Sequence, residues 1–200
     1  MKKWLIPVIV IGALIILGFI IGGWIVGIKN DALKYDQNVS KSWGNVETSY
    51  QRRNDLIGNL VKTVQGAADF EKSTLTDVIA ARAKATAINI DAQNITPEQL
   101  QQFQNAQSGV TSSLSRLLVT VEKYPDLKTN QNFLKLQDEL TSTENTIQTA
   151  RTRYNEAVEK YNNHILSIPN NWFLAKYKEK PYFKSESGAE KPVDVNFDFK

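Results

Sequence analysis

Residues 133–168, FLKLQDELTSTENTIQTARTRYNEAVEKYNNHILSI, decide the fold of this chain. Apolar or small side chains recur there at every third or fourth position, the spacing of one face of a long helix. The residues on this face are Phe133, Leu136, Leu140, Thr143, Ile147, Ala150, Tyr154, Ala157, Tyr161, His164 and Ile168. Pro169 follows and predicts the end of the helix, because proline lacks the amide hydrogen that the helical ladder needs.

Two earlier segments carry the same pattern. The first is Val39, Trp43, Val46, Tyr50, Ile57, Val61, Val64 and Ala68. The second is Leu100, Phe103, Gln107, Val110, Leu114, Leu117 and Val121. Between them a shorter segment places Leu75, Val78, Ile79 and Arg82 on one face. The pattern alone leaves open whether residues 31–87 form one helix or two, although Gly66 offers a bend.

The connectors between these segments are short and have helix-end signals. Thr96, Pro97 and Gln99 form a capping-box signature with proline at the first helical position. Pro125 predicts a break, because it disfavours helical geometry at Tyr124. Residues 30–168 contain no strand-like alternation. Helices with one apolar face each must bury those faces against one another, so the predicted fold is all-α: an antiparallel bundle of three to four long helices.

The N-terminal residues 4–28 contain no charged side chain. As a helix they span about 37 Å, against a hydrocarbon core of about 30 Å. A cleaved signal peptide is the alternative, but the run is too long and lacks a small-residue cleavage site. We therefore expect an uncleaved transmembrane anchor. Lys2 and Lys3 favour an N-terminus inside the cell and a soluble domain outside the cytoplasm.

The predicted organisation has three parts: an anchor over residues 1–28, a bundle over residues 29–168, and an irregular tail over residues 169–200, extended or partly disordered. Within the tail, Val193, Val195, Phe197 and Phe199 alternate with polar residues. Two interpretations stay open: a disordered end, or an extended peptide that adds to a sheet edge of a partner.

Composition excludes several classes of function. The net charge is only +3 with acids and bases mixed, so no nucleic-acid surface is expected. The chain has no cysteine, which removes disulfides, thiolate nucleophiles and thiolate metal sites. Its one histidine is His164. A metal site in a helical bundle needs a glutamate three positions before the histidine, where this chain has Tyr161, so a packed imidazole is expected. We predict no catalytic residues, no metal and no cofactor.

A few polar residues lie close to the apolar faces. Glu144 adjoins the inner face of the last helix and is predicted to pair across the bundle with Arg52 or Arg53. Asn155 and Asn162 each follow a tyrosine of that face. We expect their amides to hydrogen-bond between helices and fix the helix register.

Three stretches stand out as specific sequence: SWGNVETSYQRRNDLIGNLVKTVQGAADFEKSTLTDVIAARAKA, VEKYPDLKTNQNFLKLQDELTSTENTIQTARTRYNEAVEKYN and AKYKEKPYF. Together they resemble the LemA family of bacterial membrane-anchored helical proteins, and the resemblance runs from about Tyr35 to Phe183. This chain has Gly58 where the family usually has proline. The resemblance implies one N-terminal membrane helix followed by an antiparallel bundle. It implies no catalytic mechanism.

Our functional hypothesis is a non-enzymatic adaptor or scaffold of the bacterial cytoplasmic membrane. The expected partners are the lipid bilayer and a membrane or envelope protein. The alternative is a membrane-tethered sensor or small-ligand-binding bundle, with a pocket lined by Tyr154, Asn155, Tyr161, Asn162 and Arg153. A carboxylate-based hydrolase would require several carboxylates converging on one pocket, and a closed, packed bundle favours the adaptor.

Overall fold

The computed structural model describes residues 4–67 and 70–184. These residues form six helices and no strand, which confirms the predicted all-α fold. The helices are α1 (Leu5–Gln65), α2 (Lys72–Thr86), α3 (Pro97–Val121), α4 (Pro125–Lys128), α5 (Gln131–Leu166) and α6 (Asn170–Phe173). Ala68 and the alternating residues of the tail beyond residue 184 lie outside the described part of the chain.

Helix α1 joins the apolar N-terminal run to the bundle without a break. It has 61 residues, so it is about 92 Å long. Among the described residues it is the one helix long and apolar enough to cross a membrane, and its most apolar window is not buried against the protein. From Ile28 onward the same helix becomes the longest element of the core. The predicted boundary at residue 28 therefore lies within one helix, at the point where its apolar side chains change from exposed to buried.

Helix α5 runs antiparallel to α1 along the bundle. His164 lies beside Ile28, Tyr154 beside Trp43 and Glu144 beside Arg53, so the residue numbers fall on α5 as they rise on α1. Antiparallel packing of long apolar faces buries both stripes against each other.

Helices α2 and α3 form a second antiparallel pair, which covers the half of the bundle furthest from the N-terminal run. Helix α1 ends at Gln65 and α2 begins at Lys72, so the segment 31–87 forms two helices. The predicted capping box is present: the Gln99 amide donates to the Thr96 hydroxyl at 3.2 Å, and the Thr96 amide donates to the Gln99 side chain at 3.0 Å.

Local signals also set the ends of the later helices. Tyr124 has φ −120° and ψ 90°, outside the helical region, as expected for the residue before Pro125. At the start of α5 the side chain of Asn130 accepts from the amides of Asn132 and Phe133, which satisfies two amides that have no partner within the helix.

The core has two apolar clusters, one at each end of the bundle. The cluster nearer the N-terminal run surrounds Trp43 and Tyr154, and the distal cluster surrounds Ile57, Leu60 and Leu117. Nearly all residues of the predicted stripes are buried or half-buried within them.

The prediction is wrong for two residues, which were expected on buried apolar faces and are exposed. Ile79 is exposed on α2. Ile168 is 75% exposed, because α5 already ends at Leu166 and Ile165 takes the last buried position of the helix.

Residues 174–184 have no regular secondary structure, yet they pack against the bundle. Leu174 and Phe183 are buried in the cluster around Trp43. The packed unit therefore continues to residue 184, well beyond the predicted bundle boundary at residue 168.

Candidate functional site

The polar residues of α5 hold the C-terminal segment, residues 174–184, in a groove along the bundle. Asn155 donates from Nδ2 to the Phe183 carbonyl at 3.0 Å and accepts from the Phe183 amide at 2.9 Å. Asn162 does the same for Lys180, with both bonds at 2.9 Å. Each side-chain amide thus satisfies both backbone groups of one residue. These asparagines were predicted to bond between helices, and their actual partner is an extended segment.

The spacing of the two asparagines matches the spacing of their partners. Asn155 and Asn162 are seven residues apart on α5, a rise of about 10.5 Å. Lys180 and Phe183 are three residues apart, about 10 Å in extended chain. An extended segment lying along the helix therefore meets both amides without distortion.

Aromatic packing fixes the end of this segment. The Phe183 ring stacks on Trp43 with centroids 5.9 Å apart and meets Tyr154 edge-on at 5.3 Å. The Tyr154 hydroxyl donates to the Pro181 carbonyl at 3.2 Å. Burial raises the pKa of the Tyr154 phenol well above its usual value, so this donor keeps its proton.

Lys180 is a buried cation that ties three parts of the bundle together. Its Nζ lies 2.8 Å from Oδ1 of Asp36 on α1 and donates to the Gln93 carbonyl, in the connection between α2 and α3, at 2.9 Å. It also lies 5.4 Å from the centre of the Tyr161 ring. Burial raises the pKa of Tyr161 to about 12, and electrostatic repulsion from Asp36 and from Tyr177 adds to this effect.

These contacts fill the pocket that the ligand-binding hypothesis places on α5. Tyr154, Asn155, Tyr161 and Asn162 line a groove, but residues 180–183 of the same chain occupy it. Arg153, the fifth residue of the hypothesis, faces solvent on the outer side of α5.

A second polar centre surrounds Arg53, whose side chain is buried. Its guanidinium donates to Oε2 of Glu144 at 3.2 Å, to the Thr111 hydroxyl at 3.3 Å and to the Gln107 side-chain oxygen at 2.5 Å. It also lies 4.9 Å from the centre of the Tyr50 ring. Three helices meet at this cation. Of the two predicted partners of Glu144, Arg53 makes the contact, and Arg52 is exposed.

An open groove of about 290 Å³ lies over this centre. Arg53, Arg151 and Lys184 contribute three cationic residues to its lining, and Glu144 contributes one carboxylate. Gln104 and Arg151 both donate to the Lys184 carbonyl, at 3.1 and 2.9 Å. No cluster of three or more metal-binding side chains occurs among the described residues.

His164 is half-buried and hydrogen-bonded at the end of the bundle nearest the apolar run of α1. Its Nε2 lies 2.9 Å from the Ile28 carbonyl, and its Nδ1 lies 3.4 Å from the Asn170 side-chain nitrogen. Because a carbonyl only accepts, Nε2 carries the proton. The histidine links the end of α5 to the residue of α1 where the apolar run ends.

Sequence patterns gave no indication of several residues at this site. Asp36 and Lys180 lie in polar stretches, where the ordinary interpretation is a solvated side chain. The one signal at Phe183 is the stretch AKYKEKPYF, which carries the family resemblance without revealing what the ring contacts.

Comparison with known proteins identifies the family. A sequence model of a protein family, the LemA family, matches residues 42–197. The chain belongs to the LemA family. This LemA-family chain is 26% identical over 187 residues to magnetosome protein MamQ 2 of Paramagnetospirillum magneticum, covering 82% of the chain and 67% of MamQ 2.

Two further relatives are similarly distant. Protein LemA of Metamycoplasma hominis is 26% identical over 146 residues, covering 73% of this chain and 63% of the relative. Magnetosome protein MamQ of Magnetospirillum gryphiswaldense is 24% identical over 172 residues, covering 74% and 62%. The LemA-family chain therefore spans about two thirds of the length of these relatives. The long apolar helix and this kinship fit a membrane-associated helical protein.

Proposed function

We propose that this LemA-family protein is a non-catalytic adaptor or scaffold, anchored in the bacterial cytoplasmic membrane with its bundle outside the cytoplasm. The observation that carries the proposal is the continuity of α1 from the apolar run into the bundle core. About 36 residues separate Ile28 from Val64, so the bundle extends about 54 Å beyond the apolar run. A packed rod on a membrane helix presents its sides to partners at fixed distances from the bilayer.

The non-catalytic part of the proposal is supported by how the charged groups are used. Arg53 and Glu144 pair with each other, Lys180 pairs with Asp36, and His164 bonds to backbone and amide groups. These contacts fix the packing of the bundle, which supports a structural role for these charged groups.

The adaptor role is tested by cross-linking in native membranes. Since the chain has no cysteine, Val119→Cys on α3 and Thr152→Cys on α5 each place one photoreactive label at an exposed position. An adaptor predicts the same discrete partner protein from repeated preparations, captured from one face and not the other. Recovery of uncross-linked chain alone, or of copies of this chain alone, from both positions would contradict the role.

Orientation is tested with the same Thr152→Cys variant. A membrane-impermeant maleimide added to intact spheroplasts is expected to label it fully. Labelling only after lysis would place the bundle in the cytoplasm and would overturn that part of the proposal.

The groove over Arg53 supports a second candidate function, the binding of a small anion. Three cationic residues against one carboxylate would favour a carboxylate or phosphate there. Titration with phosphate and with citrate at constant ionic strength is expected to raise the melting temperature of the native chain and not of Arg151→Gln. An equal response of both proteins, or none from either, would exclude this candidate.

A further inference from the structure

The end of α5 together with α6 exposes large apolar side chains. We call residues 164–173 the α5–α6 tip. Within it Leu166 is 50% exposed, Ile168 75% and Trp172 70%. Single exposed apolar residues are common on protein surfaces and need no explanation. Three within seven residues, two of them mostly uncovered, call for a reason.

The α5–α6 tip lies beside the last turns of the apolar run of α1. His164 bonds to the Ile28 carbonyl, and the Phe173 ring meets the Trp24 ring edge-on with centroids 6.1 Å apart. Ile28 and Trp24 are four residues apart, about 6 Å along the helix. From residue 164 to residue 173 the chain therefore moves back along α1, toward its apolar end.

After Phe173 the chain reverses and runs away from the apolar run. Lys180 contacts Asp36, and Phe183 contacts Trp43 further along α1. Within residues 101–184, the α5–α6 tip is thus the part that comes closest to the membrane-crossing stretch.

The tip places exposed apolar side chains beside the exposed apolar run of α1. The apolar run is about 37 Å long and the hydrocarbon core about 30 Å thick, so the ends of the run reach the headgroup region. Trp24 marks one of these ends. Tryptophan is enriched at that depth, where its ring is in the apolar boundary and its N–H remains hydrated. Trp172, next in sequence to the residue that contacts Trp24, lies at a comparable level.

We propose that the α5–α6 tip inserts Ile168 and Trp172 into the interface of the bilayer, as a second membrane contact beside the anchor. Two contacts with one leaflet restrict the tilt and rotation of the bundle, which a single helix leaves free. The inference rests on the membrane anchor of the proposed function.

Spin-label accessibility tests this contact in the full chain. Trp172→Cys is labelled with a nitroxide and reconstituted into vesicles of phosphatidylcholine and phosphatidylglycerol. Collision rates are compared for oxygen, which concentrates in lipid, and for a soluble nickel chelate. Phe19→Cys, within the apolar run, and Val119→Cys, at the far end of the bundle, are the lipid and water references. All three positions are exposed, and circular dichroism checks that each variant keeps its helices.

The references separate failure of the anchor from failure of the second contact. We expect the oxygen-to-nickel ratio at residue 172 to lie between those of residues 19 and 119, clearly above the value in water. A lipid value at residue 19 with a water value at residue 172 would overturn the contact and retain the anchor. That result is also expected if a protein covers the tip in the cell. Water values at both residues would overturn the anchor and the contact together.

Discussion

Asn155 of α5 hydrogen-bonds to both backbone groups of Phe183: it donates to the carbonyl at 3.0 Å and accepts from the amide at 2.9 Å. Asn162 repeats this one heptad along, at Lys180. The pair makes an irregular segment part of the bundle, and that segment fills the groove on α5 that the sequence-based ligand-binding hypothesis requires.

Removal of either asparagine amide should destabilise the bundle. Asn162→Ala leaves the buried amide and carbonyl of Lys180 without partners, at a cost of about 1–3 kcal/mol in the free energy of unfolding. Asn163→Ala is the matched control, because Asn163 is the exposed neighbour. Urea unfolding in detergent measures both. Equal stabilities of the two variants would show that the asparagine does not hold the segment.

Three substitutions around Arg53 should follow a fixed order of cost. Arg53→Met leaves the buried Gln107 oxygen without its donor, so a loss of about 1–3 kcal/mol is expected. Glu144→Gln should lower the free energy of unfolding by less than about 1 kcal/mol, and the melting temperature only slightly. The reason is that the Glu144 side chain is 43% exposed, so solvent screens the pair.

Arg52→Met, at an exposed position, should leave the stability unchanged and is the reference for the other two variants. Thermal unfolding of the three variants gives the order directly. A melting point unchanged in both Arg53→Met and Glu144→Gln would remove the structural role of the ion pair.

Lys180 should depend on Asp36. Asp36→Asn removes the counter-charge of a buried ammonium group. Breaking such a pair costs about 3–5 kcal/mol, and we expect the lower end of this range because the Asp36 side chain is 26% exposed. Asp31→Asn, an exposed aspartate on the same helix, serves as control. Limited proteolysis should cut Asp36→Asn first within residues 174–184. Identical digestion of both variants would contradict this role.

Alkaline pH should weaken the bundle through its buried phenols. The pKa of Tyr161 is about 12 in the folded chain, above the usual value of 10.0, and the pKa of Tyr154 is raised as well. The unfolded chain therefore loses these protons first as the pH rises. The stabilisation is complete below pH 10 and is lost as the pH rises to about 12.

Tyrosinate absorbance against pH measures this effect. Tyr161→Phe should remove a component that titrates well above pH 10, and Tyr182→Phe, at an exposed position, is the matched control for the loss of one tyrosine. A titration curve of Tyr161→Phe that keeps the whole late component would contradict the burial of Tyr161.

Gly58 provides a test of packing inside α1. A methyl group there would lie 3.3 Å from the Arg82 guanidinium, whereas one at Gly44 would meet nothing within 4 Å. Alanine in place of a helical glycine gains up to about 1 kcal/mol. We expect Gly44→Ala to gain this in full and Gly58→Ala to gain less, as judged by thermal unfolding. A larger gain at Gly58 would mean that Arg82 does not pack there.

The apolar stripes, the capping box and the break at Pro125 were predictable because each depends on residues close in sequence. Periodicity showed which face of α5 is buried but not what covers it. The partners of Asn155 and Asn162 lie 28 and 18 residues away in a segment without a repeating pattern. Lys180 was missed for a related reason: a lysine in a polar stretch is ordinarily solvated, and only the folded chain brings Asp36 beside it.

The sequence pattern also did not predict how the apolar run of α1 joins the bundle. Lys29, Asn30 and Asp31 end the apolar run, and polar residues there suit a linker as well as a helix. In the structure α1 passes through them, because Ile28 and Ala32 on the same helix are already buried in the cluster around Trp43.

Hydrogen exchange across this junction tests the central claim most directly. The full chain in lipid nanodiscs is exchanged into deuterated buffer, and peptides covering residues 24–34 are compared with peptides covering residues 39–50. One continuous helix predicts slow exchange at the junction, of the same order as within the bundle. Exchange within seconds at residues 29–34, beside a protected stretch 39–50, would show that a flexible linker separates the anchor from the bundle.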